Sequence, residues 1–332
     1  MKITKFMIFS LVLAAPCLYF HSSLAWAQSK DTVKLKLGHV LTPTHYYHKT
    51  ALDLSSKASK YTNGKISIDV YPSSQLGAER DLIEGLRLGT VQLTIVNVAV
   101  MNQFVPEFMV FQFPYLIKDY DHGVKVWNQI MGQRLSAKME KAGLHVLGFV
   151  KASPRGVQTS KPIMKLTDLK GLRIRTMETK IFVDTYKAFN TIPTPIPYSE
   201  LVSALQTGVV DGADQGFFAF LSSKTFQVAP YFAHLEIVQT LSPLLISQSI
   251  WNKIPKESRD GIEKASEECL KEQTRLYEEE IKKYEDMAKE SKFPFAYTFP
   301  DLTEFREAVK PIYAKYENEV GKDLIQKIAA LK

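Results

Sequence analysis

NGKISIDVYPSSQLGAERDLIEGLRLGTVQLT, residues 63–94, changes its hydrophobic period twice within one short stretch. Ile66, Ile68 and Val70 alternate with polar residues, the two-residue period of a strand. After the Pro72 turn, Leu82, Ile83 and Leu86 fall on one face of a helix that Gly89 can end, and VQLTIVNVA starts a second strand. Strand, helix, strand in so few residues predicts an α/β chain with parallel strands.

The same cycle extends in both directions. VKLKLGHVL at 33–41 reads as a strand, and His48 to Tyr61 carries a helical pattern through Leu52, Leu54 and Ala58. Past residue 143 come LHVLGFVKA, then DLKGLRIRT, then a helix over about Lys180 to Phe189. In TPIPYSELVSALQTGVVDGAD, Ser199 is placed to cap a helix with Leu201, Ala204 and Leu205 inward, Gly208 to stop it, and Val209 to Asp211 to begin a strand. Two such units predict two lobes around a cleft.

From Ser258 to Lys289 there is no proline, and Ile262, Ala265, Cys269, Gln273, Leu276, Glu280 and Tyr284 recur at helical spacing. Such a helix is about 48 Å long, longer than a small domain is wide. It is expected to lie across both lobes. The expected boundaries are 31–152 plus about 241–280 for one lobe, and 153–240 plus about 281–332 for the other.

Residues 1–27 differ in kind, with Lys2 and Lys5, an uncharged apolar run, and AWA ending at Ala27. That order predicts a secretory signal peptide cleaved after Ala27. A lipid-anchored start at Cys17 is the rival, disfavoured by Pro16 before it. After cleavage Cys269 is the single cysteine left, so no internal disulfide can form. The net charge of +7 over 332 residues is scattered along the chain, with no basic run of the kind that nucleic acid requires. No later apolar stretch is long enough to span a bilayer, so any membrane partner is a separate chain.

HExxH, GxSxG, Ser-x-x-Lys, CxxC and GxxxxGK[ST] are all missing, which lowers the expectation of an enzyme. His39, His45 and His48 lie close in sequence, but no carboxylate or cysteine in the segment completes a metal site, and neither metal nor cofactor is expected. Arg173 and Arg175 alternate on one strand. Facing solvent they would be ordinary edge charges, and facing a cleft either would offer a fork to a carboxylate. The local pattern leaves both readings open. Of the aromatic residues, Tyr198 and Phe217 adjoin turn signals and are candidates for the cleft, and Asn97 ends a strand, where open α/β sheets place ligands.

Six segments in register, LGHV, GKISIDVYPSSQLGAERDLIEGLRLGTVQLT, FVPEFMVFQFPYLIKD, DLKGLRIRTM, PTPIPYSELVSALQTGVVDG and IWNKIP, resemble the extracytoplasmic solute-binding proteins of tripartite ATP-independent periplasmic (TRAP) transporters. The resemblance covers nearly all of residues 33–332. It implies a two-lobe periplasmic-binding-protein fold, with a long helix bridging both lobes, that binds an organic acid in the cleft and delivers it to a membrane permease. It makes Arg175 the clamp on the ligand carboxylate and Arg173 its solvated neighbour. Arg155 matches a second cleft arginine, Tyr198 an aromatic position, Asn97 a polar one, Glu79 an acidic one, and His39 falls in the LGHV segment. Where many members read Q-E-N-P after VDG, this chain reads ADQG, so Gln215 replaces the usual asparagine, Gly216 the proline, and Phe217 follows. Transfer of any particular substrate is therefore unsafe. The expected function is a periplasmic solute receptor without catalysis. Alternatives are a receptor for a larger aromatic or polar acid, a sensor's ligand-binding component, or a periplasmic hydrolase.

Overall fold

The computed structural model of the chain describes residues 32–289 and 293–332. The expected signal peptide, its expected cleavage point and Cys17 lie outside the described residues. Eleven described strands form two sheets: β1 (Val33–Gly38), β2 (Ile66–Tyr71), β3 (Leu93–Ile95), β4 (Leu144–Lys151), β5 (Arg155–Thr159), β6 (Arg173–Thr176), β7 (Ile192–Pro195), β8 (Gly212–Gly216), β9 (Tyr231–Ala233), β10 (Leu241–Ser247) and β11 (Ala296–Thr298). The first sheet has the order β2-β1-β3-β10-β4 and the second β11-β9-β5-β8-β6-β7.

Parallel pairing is correct for the cycles read from sequence, β1 with β2 and β3, and β6 with β7 and β8. It fails where the chain changes sheets. β10 returns from the second sheet and runs antiparallel between β3 and β4, and β5 runs antiparallel to β8 and β9. A direct crossing of three residues, 152–154, joins β4 to β5, too short for the helical crossover that a parallel neighbour in one sheet requires. The two crossings are tied together, because Arg155 N donates to Val238 O at 2.9 Å and Ile237 N to Arg155 O at 3.0 Å.

The helix Tyr46–Tyr61 covers the first sheet with Ala51, Leu54 and Ala58 fully buried, whereas Leu52 is half exposed. Ala51 takes the inward place that the sequence reading gave to Leu52. Gly89 and Gly208 end their helices at φ 76° and 69°, a left-handed backbone that a side chain would strain. Ser199 is not a cap: it lies in the 3₁₀ turn Tyr198–Glu200, which leads into the helix Leu201–Gln206 and satisfies its own Glu200 N–H on Pro197 O at 3.1 Å. The following strand starts at Gly212, later than Val209–Asp211.

The long helix runs Lys256–Lys289, 34 residues, or about 51 Å at 1.5 Å per residue. Ile262, Ala265, Cys269 and Gln273 are buried on its inner face, while Leu276 is turned outward. On the first lobe, Glu268 accepts from Tyr61 at 2.6 Å, and the Gln273 amide brackets the backbone N–H and C=O of Lys151 on β4, both at 2.9 Å. Farther along, Tyr277 packs against Tyr46 of the first lobe and Phe218 of the second, with ring centroids 5.7 and 5.1 Å apart. Tyr284 continues onto Phe217 and Phe218. At the C-terminus, Tyr313 donates to Pro114 O at 2.6 Å, and Lys180 pairs with Glu319. Among the described residues no helix is long and apolar enough to cross a membrane.

Candidate functional site

Parallel strands leave their carboxyl ends open, and in each lobe those ends face one cavity. Val40 and Leu41 follow β1, Asn97 follows β3, Met177 follows β6, Tyr198 follows β7, and Gly216 closes β8, and all of them line it. About 60 Å³ of the cavity is open to the centre of a water-sized sphere, room for a few waters.

Arg175 sits on β6, paired on both sides by Thr194 of β7 and Ala213 of β8, so the sheet fixes where its side chain starts. It is 4 % exposed. Nε donates to Ile196 O at 2.8 Å and Nη1 to Asp214 O at 3.3 Å, and the guanidinium stands 5.9 Å from the centre of the Tyr198 ring. A guanidinium has five N–H groups, so those on Nη2 and one on Nη1 remain without a protein acceptor among the described residues. Burial first, and Arg155 second, lower the Arg175 pKa to about 10, which still leaves it charged at neutral pH.

Arg155, at the start of β5, is held differently. Its Nε and Nη2 pair with the buried Asp214 carboxylate, Nη2 also donates to Asp214 O at 2.9 Å, and the guanidinium packs 5.2 Å over Phe182. A buried cation with a buried anion in contact is internally balanced. Asp214 thus receives both arginines. The sequence reading passed over it, although an acid in a strand otherwise built of small residues and an amide was the available signal. Arg173 is 44 % exposed and forks onto Asp211, with Nη2 to Oδ1 at 2.6 Å and Nε to Oδ2 at 3.0 Å. Alternation on one strand therefore yields one cleft arginine and one solvated one.

From the first lobe, Glu79 opens the helix Glu79–Leu88 and accepts the Asn97 N–H at 2.7 Å. Burial raises its pKa, against the pull of that N–H and of both arginines. Asn97 Oδ1 in turn accepts from Ala99 N at 2.9 Å, capping the turn that follows β3. Tyr198 lines the cavity and its hydroxyl reaches Ala219 O at 3.5 Å, a weak contact.

Of the eight candidate residues, Arg175, Arg155, Tyr198, Asn97, Gln215 and Glu79 line this one cavity. The Gln215 amide nitrogen donates to Gln158 Oε1 and to Thr225 Oγ1, while its buried Oε1 has no hydrogen-bond partner among the described residues. Phe217 and His39 are not brought to the cavity. Phe217 lies inside an aromatic cluster with Phe220, Phe232, Phe295 and Tyr297, whose ring centre is 4.8 Å away. Burying that ring among other rings is the ordinary fate of a phenylalanine. His39 is fully buried and shares a 3.2 Å hydrogen bond with His48, and burial, with His48 second, pushes its pKa down to about 3. Sequence reasoning missed Tyr47, Ser153, Met177 and Thr240 as lining residues. Thr240 precedes β10, whose return between sheets has no local signature.

The match to known families agrees with this geometry. Residues 37–319 match the model of the bacterial extracellular solute-binding proteins, family 7. The sialic acid-binding periplasmic protein SiaP of Vibrio cholerae is 27 % identical over 92 % of this chain and 95 % of its own. A TRAP periplasmic solute-binding protein from Polaromonas sp. JS666, solved bound to D-erythronate, superposes with a TM-score of 0.83 at 32 % identity, covering 90 % of this chain and 99 % of that one. One from Sulfurospirillum deleyianum with bound succinate gives 0.81 at 28 % identity, covering 90 % and 99 %. Receptors of this kind bind and release and do not catalyse, which removes the hydrolase alternative. The cavity is lined from both lobes, and this chain belongs to the bacterial extracellular solute-binding protein family 7, the solute receptors of TRAP transporters.

Proposed function

We propose that Arg175 binds the carboxylate of a small organic acid through its Nη1 and Nη2 groups, and that the two lobes close over the bound acid. The carrying observation is the state of Arg175: buried, charged, oriented by two backbone carbonyls, and with donors left over toward the cavity. A charge-assisted, two-pronged contact in a desolvated site contributes a few kcal/mol, enough to anchor a small acid. The acids named for the relatives, sialic acid, erythronate and succinate, have the carboxylate in common. Ligand contacts from both lobes favour the closed form to the extent that they are absent in the open one.

The chain is exported by its N-terminal segment, cleaved after Ala27, and hands its ligand to the permease subunits in the membrane. Thermal unfolding across a panel of acids, neutral sugars and amino acids tests the reading. A ligand at one hundred times its dissociation constant adds about 2.7 kcal/mol, a rise of about 4 °C for a chain of this size. An acid should raise the midpoint of the native protein and leave Arg175→Ala unmoved. A neutral sugar stabilising both equally would contradict the assignment.

A further inference from the structure

The charges at the cavity cancel before any ligand enters it. Arg155 and Arg175 face it from the second lobe, Asp214 holds Arg155 in direct contact, and Glu79 faces both arginines from the first lobe. His45, the lining histidine, is kept neutral by burial. An incoming carboxylate therefore brings an uncompensated negative charge into a desolvated space, which is costly unless a positive charge comes with it.

Glu79 is placed to take up that positive charge as a proton. Its Oε1 accepts the Asn97 N–H at 2.7 Å, and among the described residues it has no other hydrogen bond and no ion-pair contact. Asp214 is the other acid nearby, but protonating it would break a buried ion pair with Arg155. The groups around Glu79 divide plainly. Arg175 of β6 and Arg155 of β5 favour its ionised form, and Glu178, after β6, opposes it. Tyr47 and Tyr198 also feel the Glu79 charge, and burial keeps both hydroxyls protonated. On its own helix, Arg80 is paired with Glu84, and Asp81 is turned back onto Ala78 N. Burial already raises the Glu79 pKa against the Asn97 N–H and the two arginines. A ligand carboxylate on Arg175 occupies one of those two cations and adds a like charge, and both changes push Glu79 further in the same direction.

We propose, resting on the carboxylate reading of Arg175, that binding of the acid takes up one proton from solvent, and that this proton sits on Glu79 Oε2. The step forms one O–H bond and breaks none within the protein or the ligand. The ligand stays an anion on Arg175, and Glu79 turns from an acceptor that repels it into a neutral carboxyl that can donate to it. By linkage, an acid whose binding draws a proton is held more tightly as pH falls. The receptor then loads best in acidic surroundings and lets go more readily in alkaline ones.

Calorimetric titration of the protein, dialysed free of carried-over solute, tests the proposal with D-erythronate, D-galacturonate and succinate, acids held by solved relatives. Each acid that binds is titrated at pH 7 in phosphate, HEPES and Tris, whose ionisation enthalpies differ, so that the slope of heat against ionisation enthalpy counts protons. Uptake of about half a proton or more is expected, with affinity falling by up to about tenfold per pH unit between pH 6 and 8, where these acids stay ionised. Glu79→Gln, which offers a neutral donor in the same place, should bind the acid with no proton uptake and with an affinity independent of pH. Acid binding without uptake anywhere between pH 6 and 8 overturns the proposal and leaves the Arg175 reading standing. Uptake that survives in Glu79→Gln assigns the proton to His45 or Asp214 and overturns it too, as does a Glu79→Gln protein that melts cooperatively yet binds no acid. A native protein that melts cooperatively and binds none of the three acids overturns the carboxylate reading together with the proposal.

Discussion

The two walls of the cavity are built from different chemistry. On the second-lobe side stand Arg155, Arg175 and Asp214, charges locked by one another and by the backbone of β7 and β8. On the first-lobe side stand Glu79, Asn97 and Tyr47, with Thr240 at the entry to β10, a wall of acceptors and hydroxyls. On the proposed reading the first of these walls receives the carboxylate, and the second faces the rest of the ligand. A ligand that satisfies both gains from bringing the lobes together, whereas a ligand that satisfies one gains nothing from closure.

The largest expected effect separates packing from recognition on the second lobe. Phe217→Ala removes a ring from a fully packed aromatic cluster and should cost about 3–5 kcal/mol in chemical denaturation while ligand affinity is retained. Loss of affinity with unchanged stability would return Phe217 to the site. Next, Arg175→Ala should weaken acid binding about a hundredfold or more by calorimetry, equivalent to about 2.7 kcal/mol, with Arg175→Lys intermediate because a point charge cannot fork. Equal affinity in wild type and alanine variant would move the anchor elsewhere.

Smaller in size is an acid sensitivity of the first lobe. The folded pKa of His39, about 3, lies below its unfolded value of about 6.5, so the unfolded chain binds more protons between those limits. The stability this histidine contributes is complete above pH 6.5 and is lost as pH falls toward 3, about 2 kcal/mol by pH 5. His45, also lowered by burial, acts in the same direction. Denaturant melts at pH 7 and 5 should show the loss, and His39→Gln should reduce the slope. A pH-independent melt would contradict a buried neutral His39. Smallest of all, Arg173→Ala should leave affinity unchanged, since its fork is spent on Asp211 in solvent.

The sequence was most legible where period and stop residue agreed, as in Leu82, Ile83 and Leu86 before Gly89, and in the long helix. It misled where a side chain's fate depends on a distant neighbour. Nothing local to Leu52 says that Ala51 will face the sheet, and nothing local to Phe217 says that Phe232 and Phe295 will surround it. The same holds for the site. Arg175 was legible through the resemblance alone, since its strand left both readings open, and Asp214 and Thr240 reach the site because β8 lies against β5 and because β10 re-enters the first sheet. Long-range pairing carries that information, and no short window of sequence contains it.

Small-angle scattering of the protein with and without an acid that calorimetry shows to saturate it, repeated on Arg175→Ala, tests most directly whether the two walls act together. The account predicts that the wild-type protein contracts on adding the acid and that the variant, given the same concentration, does not. A saturated wild-type protein whose profile is unchanged would contradict closure on the Arg175 carboxylate contact.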